Sequence, residues 1–234
     1  NASSSPGVVV NYIERQSGNI FSYQVGSANL TRISNKTIPG IETASWLPNA
    51  SLAFVRYLSG TDFSTINTYG LPSKGSDGFF LPQNLADVAV ASTSVLVLTS
   101  GVNGSVASRK HIDGTPLSTV FSSPLSALRV SFAGKNRYLA FTKPSMTLPG
   151  SAFLVDSTGH FSRILGPQKG LGALASPSGK WVLASFVADD TMRMELVDTA
   201  TGEIIPLPVA TITDKCVWAA DDSVIYCGIP VSPP

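Results

Sequence analysis

The sequence is poor in charge, and this shortage narrows the classes of protein to which it can belong. Asp, Glu, Lys and Arg together make up only 13% of the 234 residues, and 16 basic residues balance 15 acidic ones to a net charge of +1. A nucleic-acid-binding surface normally needs clustered Lys and Arg, so a nucleic-acid partner is not expected. Hydrophobic residues make up 43%. With so few charged residues, few side chains are suited to face water. This is typical of β-sheets whose two faces are both covered by neighbouring structure.

No hydrophobic run in the sequence is long enough to form a membrane-spanning helix. The most apolar stretch, residues 88–98, is interrupted by Ser92, Thr93 and Ser94 and falls well short of the roughly 20 residues that a span needs. We therefore expect no membrane insertion by this chain, and any anchor would lie outside it. No segment combines 3.6-residue periodicity with helix caps, so almost no helix is predicted.

Recognisable catalytic and metal-binding motifs are also lacking. There is no Gly-X-Ser-X-Gly, no Walker loop and no zinc spacing of Cys and His. The two imidazoles, His111 and His160, fall at a strand end and in a turn. Residues 170–175 match Gly-X-Gly-X-X-Ala, but no helix follows to receive a phosphate. The acidic pairs 189–190 and 221–222 lie in separate turns. We predict no catalytic residue, no cofactor and no metal.

What the sequence does contain is a hydrophobic strand that returns every 43 residues. A period of this length is typical of stacked or circular repeat proteins. The strands begin at Val9, Leu52, Val95, Tyr138, Trp181 and Val224.

Each repeat has the same internal order of strands and turns. A short strand and a Gly-, Pro-, Asn- or Asp-containing turn precede the recurring strand, and two further strands follow it through tight turns. Four short strands make one antiparallel sheet that cannot bury both faces alone. Packing such sheets around an axis gives a β-propeller. We predict an all-β propeller over residues 8–229 with at least five blades, between a flexible lead-in at 1–7 and a Pro-rich end at 230–234. The simplest count of strands makes it an incomplete ring.

Two segments carry a family resemblance. Residues 46–55 and 175–183 resemble the WD40-like PD40 repeats of TolB-type propellers, in which Trp-Ser-Pro-Asp-Gly-Lys precedes an apolar strand. Residues 32–39, 215–218 and 225–227 are similar to an uncharacterised group of bacterial envelope propellers. The resemblance implies a propeller fold, and it implies no particular activity.

The two cysteines flank a predicted hairpin. If residues 221–222 form its turn, Cys216 and Cys227 lie directly opposite each other, close enough for a disulfide bond. Such a bond indicates an oxidising compartment. Two buried free thiols are the alternative. Five Asn-X-Ser/Thr triplets fall in turns or at the terminus and would be glycan acceptors in some compartments, although turn composition alone produces them. They begin at Asn1, Asn29, Asn35, Asn49 and Asn103.

The leading hypothesis for function is a non-enzymatic protein-interaction or scaffold module of the cell envelope or surface. A rigid propeller presents many loops to protein partners. The longest loop on one face is residues 143–150, with 167–170 nearby, and Lys143, Met146 and Lys169 are the candidate partner-binding residues of this rim. The location would be periplasmic, cell-surface or secreted. An enzyme or accessory domain with a site in the central funnel is one alternative, and a subunit of a surface assembly is another.

Overall fold

The computed structural model describes residues 8–34, 36–74 and 77–230. Within them the chain forms twenty β-strands and one short 3-10 helix, Thr213–Lys215. The described residues include no helix that could cross a membrane. The chain divides into two units, residues 1–85 with 90–94 and 111–115, and residues 86–89, 95–110 and 116–234. The predicted lead-in 1–7 and residues 231–234 of the predicted end lie outside the described residues.

Two antiparallel sheets form the first unit. The first sheet has three strands in chain order, β1 (Val9–Ile13), β2 (Ile20–Gln24) and β3 (Asn29–Arg32). The second has four, β4 (Ile41–Trp46), β5 (Leu52–Ser59), β6 (Thr65–Pro72) and β7 (Phe79–Phe80). Alternate residues of β5, Ala53 and Val55, are fully buried in a cluster that also contains Ile20 and Ile41.

The remaining strands continue the same up-and-down order. A four-stranded sheet contains β8 (Asp87–Val90), β9 (Ser94–Gly101), β10 (Gly104–His111) and β11 (Pro116–Ser123). A seven-stranded sheet follows with β12 (Leu128–Phe132), β13 (Tyr138–Thr142), β14 (Gly150–Val155), β15 (Phe161–Ala175), β16 (Trp181–Ala188), β17 (Thr191–Asp198) and β18 (Ile204–Pro206). The last sheet pairs β19 (Cys216–Trp218) with β20 (Ile225–Cys227).

The 43-residue spacing correctly predicts the recurring strands. β1, β5, β9, β13, β16 and β20 begin within one residue of the predicted positions. The long strand β15 joins two repeats, since its first part pairs with β14 and its second part with β16. The last strand of one predicted repeat and the first strand of the next are therefore parts of one strand, and the seven-stranded sheet is two four-stranded repeats that share β15.

Strand β13 shows why the chain has so few charges. Tyr138 and Ala140 are buried in one apolar cluster, while Leu139 and Phe141 are buried in another. Because side chains alternate between the faces of a strand, both faces of β13 are covered by other parts of the same unit. Neither face of this strand is available to polar side chains.

The faces of neighbouring repeats are offset by one residue. Val130 pairs with Ala140 in one repeat, whereas Ala173, 43 residues after Val130, pairs with Ala184. Val182 and Ala184 therefore pack in the cluster that contains Leu139. The odd-numbered residues of β16, which begin at Trp181, face the opposite side.

Candidate functional site

The loop between β13 and β14, residues 143–149, forms the rim predicted from the sequence and is called the rim loop below. Local hydrogen bonds hold its conformation, because the hydroxyl of Ser145 accepts bonds from the amides of Thr147 and Leu148, both at 3.2 Å. The amide of Gly170 also donates to the carbonyl of Ser145 at 2.7 Å. The rim loop is thus bonded both to itself and to β15.

Two of the three predicted rim residues lie on adjoining segments. A methyl group built on Gly170 would come 3.3 Å from the sulfur of Met146, so Met146 lies against the segment that carries Lys169. Lys143 lies at the other end of the rim loop, where its amide donates to the carbonyl of Ala127 at 2.8 Å. Both lysines are exposed.

The rim loop exposes two large apolar side chains. Met146 is 57% exposed and Leu148 is 73% exposed. Sequence reasoning located the loop from its length but did not select Leu148 as a site residue. The exposure of Leu148 depends on the loop conformation held by the hydrogen bonds to the Ser145 hydroxyl. The sequence alone does not show these bonds.

A second apolar surface lies beside the last hairpin and is called the terminal groove below. It has a volume of about 670 Å³. One wall comes from the β16–β17 sheet and the other from the β19–β20 hairpin and the residues that follow it. The wall residues include Trp181, Leu183, Leu196, Trp218, Tyr226 and Ile229.

Two of the three tryptophans, Trp181 and Trp218, line the terminal groove. Trp181 is half-buried at the groove wall, and the ammonium group of Lys180 lies 4.8 Å from the centre of its ring. Trp218 is also half-buried, and its indole N–H donates to the carbonyl of Leu174 at 3.4 Å. The one-residue offset of faces puts Trp181 on the side of β16 that lines the groove.

The hairpin that forms one groove wall is closed by a disulfide bond. Cys216 and Cys227 are directly opposed, with an S–S distance of 2.10 Å. The predicted disulfide is confirmed, and the alternative of two free thiols is wrong.

A half-buried carboxylate fixes the turn of this hairpin against the turn that follows β15. Asp222 accepts hydrogen bonds from the hydroxyl of Ser176 at 2.7 Å and from the amide and hydroxyl of Ser178. Burial alone would raise the pKa of Asp222, but the hydrogen bonds from Ser178 and Ser176 outweigh it and hold the pKa below its ordinary value. The hairpin is therefore held at both its strands and its turn.

The enzyme alternative draws attention to ionisable groups on the first strands of the repeats. The guanidinium of Arg129 in β12 donates to both carboxylate oxygens of Asp214, at 3.0 and 2.9 Å, and lies 3.9 Å from a carboxylate oxygen of Asp87. Asp87 also accepts the amide of Val130 at 2.9 Å. These charges are paired with one another and join β8, β12 and the 3-10 helix.

The other candidate chemical groups occupy separate local structures. His160 follows a turn in which the carboxylate of Asp156 accepts bonds from the hydroxyl and amide of Thr158, and these bonds lower the pKa of Asp156. His111 ends β10. Residues 170–175 lie in the strand β15. No group of three or more metal-ligating side chains occurs among the described residues.

Three of the five candidate glycan acceptors can be located. Asn29, Asn49 and Asn103 are all exposed. Asn103 lies in the turn between β9 and β10 and borders a shallow groove of about 530 Å³. Asn1 and Asn35 lie outside the described residues.

Comparison with known proteins identifies the fold. No family model matches the chain, and no curated protein matches its sequence. Among solved structures, TolB from Acinetobacter baumannii matches with a TM-score of 0.61 at 12% identity, over 88% of this chain and 54% of that chain. This chain thus spans about half the length of that TolB chain.

Two further structures are similar to a comparable degree. Hydrazine synthase from Kuenenia stuttgartiensis matches with a TM-score of 0.61 at 11% identity, over 90% of this chain and 67% of that one. The β-propeller domain of the trilobed protease from Pyrococcus furiosus matches with a TM-score of 0.58 at 7% identity, over 85% of this chain and 66% of that one. The predicted all-β propeller class is confirmed, and so is the resemblance to TolB at the level of fold. The narrower likeness to one envelope group stays a prediction.

Proposed function

We propose that this chain is a non-enzymatic protein-interaction module that acts outside the cytoplasm. The observation that carries the proposal is the rim loop, which holds Met146 and Leu148 out from the sheet on a backbone fixed by hydrogen bonds. Exposed large apolar side chains on an ordered loop are a common feature of protein-binding surfaces.

The order of the rim loop matters because binding costs conformational entropy. Ordering a mobile loop on association would cost roughly 0.5–1.5 kcal/mol for each immobilised side chain. A loop whose backbone is already bonded to β15 avoids part of that cost. The exposed ammonium groups of Lys143 and Lys169 would form a polar margin around the two apolar side chains, as in other interfaces.

The disulfide supports the proposed location. Disulfides persist in oxidising environments and are rare in the cytosol, and the bond between Cys216 and Cys227 closes a loop that separates the two residues by only 11 positions. A periplasmic, cell-surface or secreted location would maintain it. The alternative function, an enzyme or accessory domain with a site in the central funnel, stays a prediction.

The experiment replaces the rim residues and follows binding. The triple variant K143A/M146A/K169A and the variant L148D are immobilised beside the unchanged chain and exposed to the envelope proteins of the native host. We expect at least one partner to be retained by the unchanged chain and to bind both variants at least tenfold more weakly. K135A, in an exposed turn, is the control. Partners that bind all four chains equally would refute a role for the rim.

A further inference from the structure

We propose that Met146 is a modification site, at which hydrogen peroxide converts the thioether of the side chain to a sulfoxide and so weakens binding at the rim loop. The selectivity of this oxidation depends on the exposure of the sulfur. Its effect on binding rests on the function proposed above.

The three methionines of the chain differ in how far they are exposed. Met146 is 57% exposed, whereas Met194 is 2% exposed. The sulfur of Met194 also accepts a hydrogen bond from the amide of Thr211 at 3.3 Å, so it is engaged as well as shielded. Met192 is half-buried in β17. A peroxide must reach a lone pair of the sulfur, and Met146 should therefore react first.

No thiol competes with Met146 for the oxidant. Exposed thiolates are normally the preferred targets of peroxides. The chain has two cysteines, Cys216 and Cys227, and both are joined in the disulfide bond. Oxidation therefore falls on a thioether, and the most exposed thioether belongs to the rim loop.

The sulfur of Met146 lies where β15 has no side chain. A methyl group built on Gly170 would come 3.3 Å from this sulfur and 3.6 Å from a methyl carbon of Val187. The bare backbone of Gly170 thus leaves room for the sulfur beside an apolar neighbour. The same glycine donates its amide to the carbonyl of Ser145 at 2.7 Å. The Met146 side chain and this backbone bond therefore hold the rim loop against β15 together.

The reaction transfers one oxygen atom from the peroxide to the sulfur. The O–O bond of hydrogen peroxide breaks, an S–O bond forms with an electron pair of the sulfur, and the second oxygen leaves as water. The sulfur is thereby oxidised by two electrons, and an apolar side chain becomes a polar one. Methionine sulfoxide reductases reverse the change with two electrons from a dithiol and release the oxygen as water.

A sulfoxide would change both the packing and the surface of the rim loop. Its oxygen needs hydrogen bonds that the methyl groups of Val187 cannot donate, so water is favoured over the contact with β15. The rim loop also loses one of its two large exposed apolar side chains, which leaves Leu148. Interfaces that contain methionine are commonly disrupted in this way. We expect the oxidised chain to bind rim partners at least fivefold more weakly.

Dilute hydrogen peroxide followed by mass spectrometry tests the site. Each methionine lies in a tryptic peptide of its own, 138–163, 181–193 or 194–215, since Pro144 blocks cleavage after Lys143. The gain of one oxygen atom can therefore be followed at each methionine. We expect peptide 138–163 to be oxidised at least tenfold faster than 194–215 and at least threefold faster than 181–193. Oxidation in urea should remove most of this difference, because unfolding exposes all three sulfurs.

A conservative variant tests the effect on the rim loop. The unchanged chain, M146L and M192L are treated with the same peroxide, and each is compared with its untreated form for retention of envelope proteins of the native host. Peroxide should weaken retention at least fivefold for the unchanged chain and for M192L. M146L should keep its own starting level, whatever that is, since leucine has no sulfur. Hydrogen exchange at the Gly170 amide should accelerate at least threefold in the oxidised unchanged chain and stay constant in treated M146L.

The outcomes separate the oxidation from the proposed function. Equal oxidation of Met146 and Met194 in the folded chain would overturn the inference and leave the rim as a binding surface. So would selective oxidation of Met146 with unchanged retention of a partner that K143A/M146A/K169A binds weakly. A peroxide effect of equal size in M146L would place the damage elsewhere and would also overturn it. Retention that neither the rim variants nor peroxide alters would refute the proposed function and the effect on binding together.

Discussion

Replacing Gly179 with alanine tests whether turns of neighbouring repeats fit against each other through their backbones. Gly179 has a φ of +74°, and a Cβ at this position would overlap the carbonyl oxygen of Ala133 and lie 2.8 Å from the amide nitrogen of Gly134. Both contacts are with backbone atoms, which cannot rotate away as a flexible side chain can. One of the two turns must therefore shift to admit the methyl group.

Gly202 provides a matched control for this substitution. Its φ is +75°, but a Cβ there would have no neighbour within 4 Å. Both alanine variants suffer the strain of a left-handed residue, roughly 1–2 kcal/mol. Only G179A adds overpacking, which costs roughly 1–3 kcal/mol more. We expect the free energy of unfolding to fall by roughly 1–2 kcal/mol in G202A and by roughly 2–5 kcal/mol in G179A.

Urea unfolding followed by tryptophan fluorescence measures both losses. The midpoint should move further in G179A than in G202A, while the slope with denaturant stays unchanged, because the unfolded surface is the same. Equal losses in the two variants would refute the reasoning, since they would show that the contact with Ala133 and Gly134 carries no energetic consequence.

Three further predictions concern the disulfide, the core and pH. C216S/C227S should lower the free energy of unfolding by about 3 kcal/mol on chain-entropy grounds, measured by urea unfolding beside the oxidised chain; a loss below 1 kcal/mol would contradict this. L139A removes a fully buried side chain and should cost about 2–5 kcal/mol in the same assay, whereas S118A, on the exposed strand β11, should cost under about 0.5 kcal/mol. Because the pKa of Asp222 is lowered in the folded state, its ionised carboxylate stabilises the fold. This stabilisation is present above the unfolded pKa of about 3.9 and is lost as pH falls through the folded pKa. The fall in Tm between about pH 5 and pH 2 should therefore be smaller in D222N than in the unchanged chain. An equal fall in the two chains would contradict this role of Asp222.

The sequence predicted the strands well because the signals that make them are local. Apolar alternation and turn residues act within a few positions, so the starts of β5, β13 and β16 were predicted correctly at 52, 138 and 181. The repeat pattern treats residues 167–170 as a connection between two strands, which is wrong, because these residues lie within β15. Gln168 and Lys169 in fact pair with Gly150 and Val187, so the chain stays in the sheet between the two repeats.

The faces of the strands were harder to predict, because register depends on the turns. The period-2 pattern shows which residues share a face of the strand, but it does not show which neighbouring sheet that face contacts. A shift of one residue in register exchanges the two faces. Ala140 pairs with Val130, but Ala184 pairs with Ala173. Equal spacing in sequence therefore does not mean equal environment, and this is why Trp181 lines the terminal groove instead of the core.

The two candidate surfaces also differ in how far the sequence predicts them. The rim loop could be found from its length, whereas the exposure of Leu148 depends on where Ser145 places its hydrogen bonds. The terminal groove was missed because its walls come from the exposed face of β16 and β17 and from the last hairpin, and repeat spacing does not show which faces meet. One sequence signal could have indicated it: residues 224–229 form an apolar edge without a charged residue, which is unusual for a strand exposed to solvent.

The turn contacts connect the stability of the repeats with the position of the last hairpin. Ser176 and Ser178 lie in the same turn as Gly179, and through Asp222 they fix the last hairpin. A shift of this turn would therefore act at two places, against Ala133 on one side and at the hairpin of β19 and β20 on the other. G179A should then speed hydrogen exchange at the amides of Ala219 and Gly228, which bond across the last hairpin, as well as weaken the fold, whereas G202A should leave this exchange unchanged. This pattern would show that the last hairpin is held in position by the same backbone contacts that join the repeats.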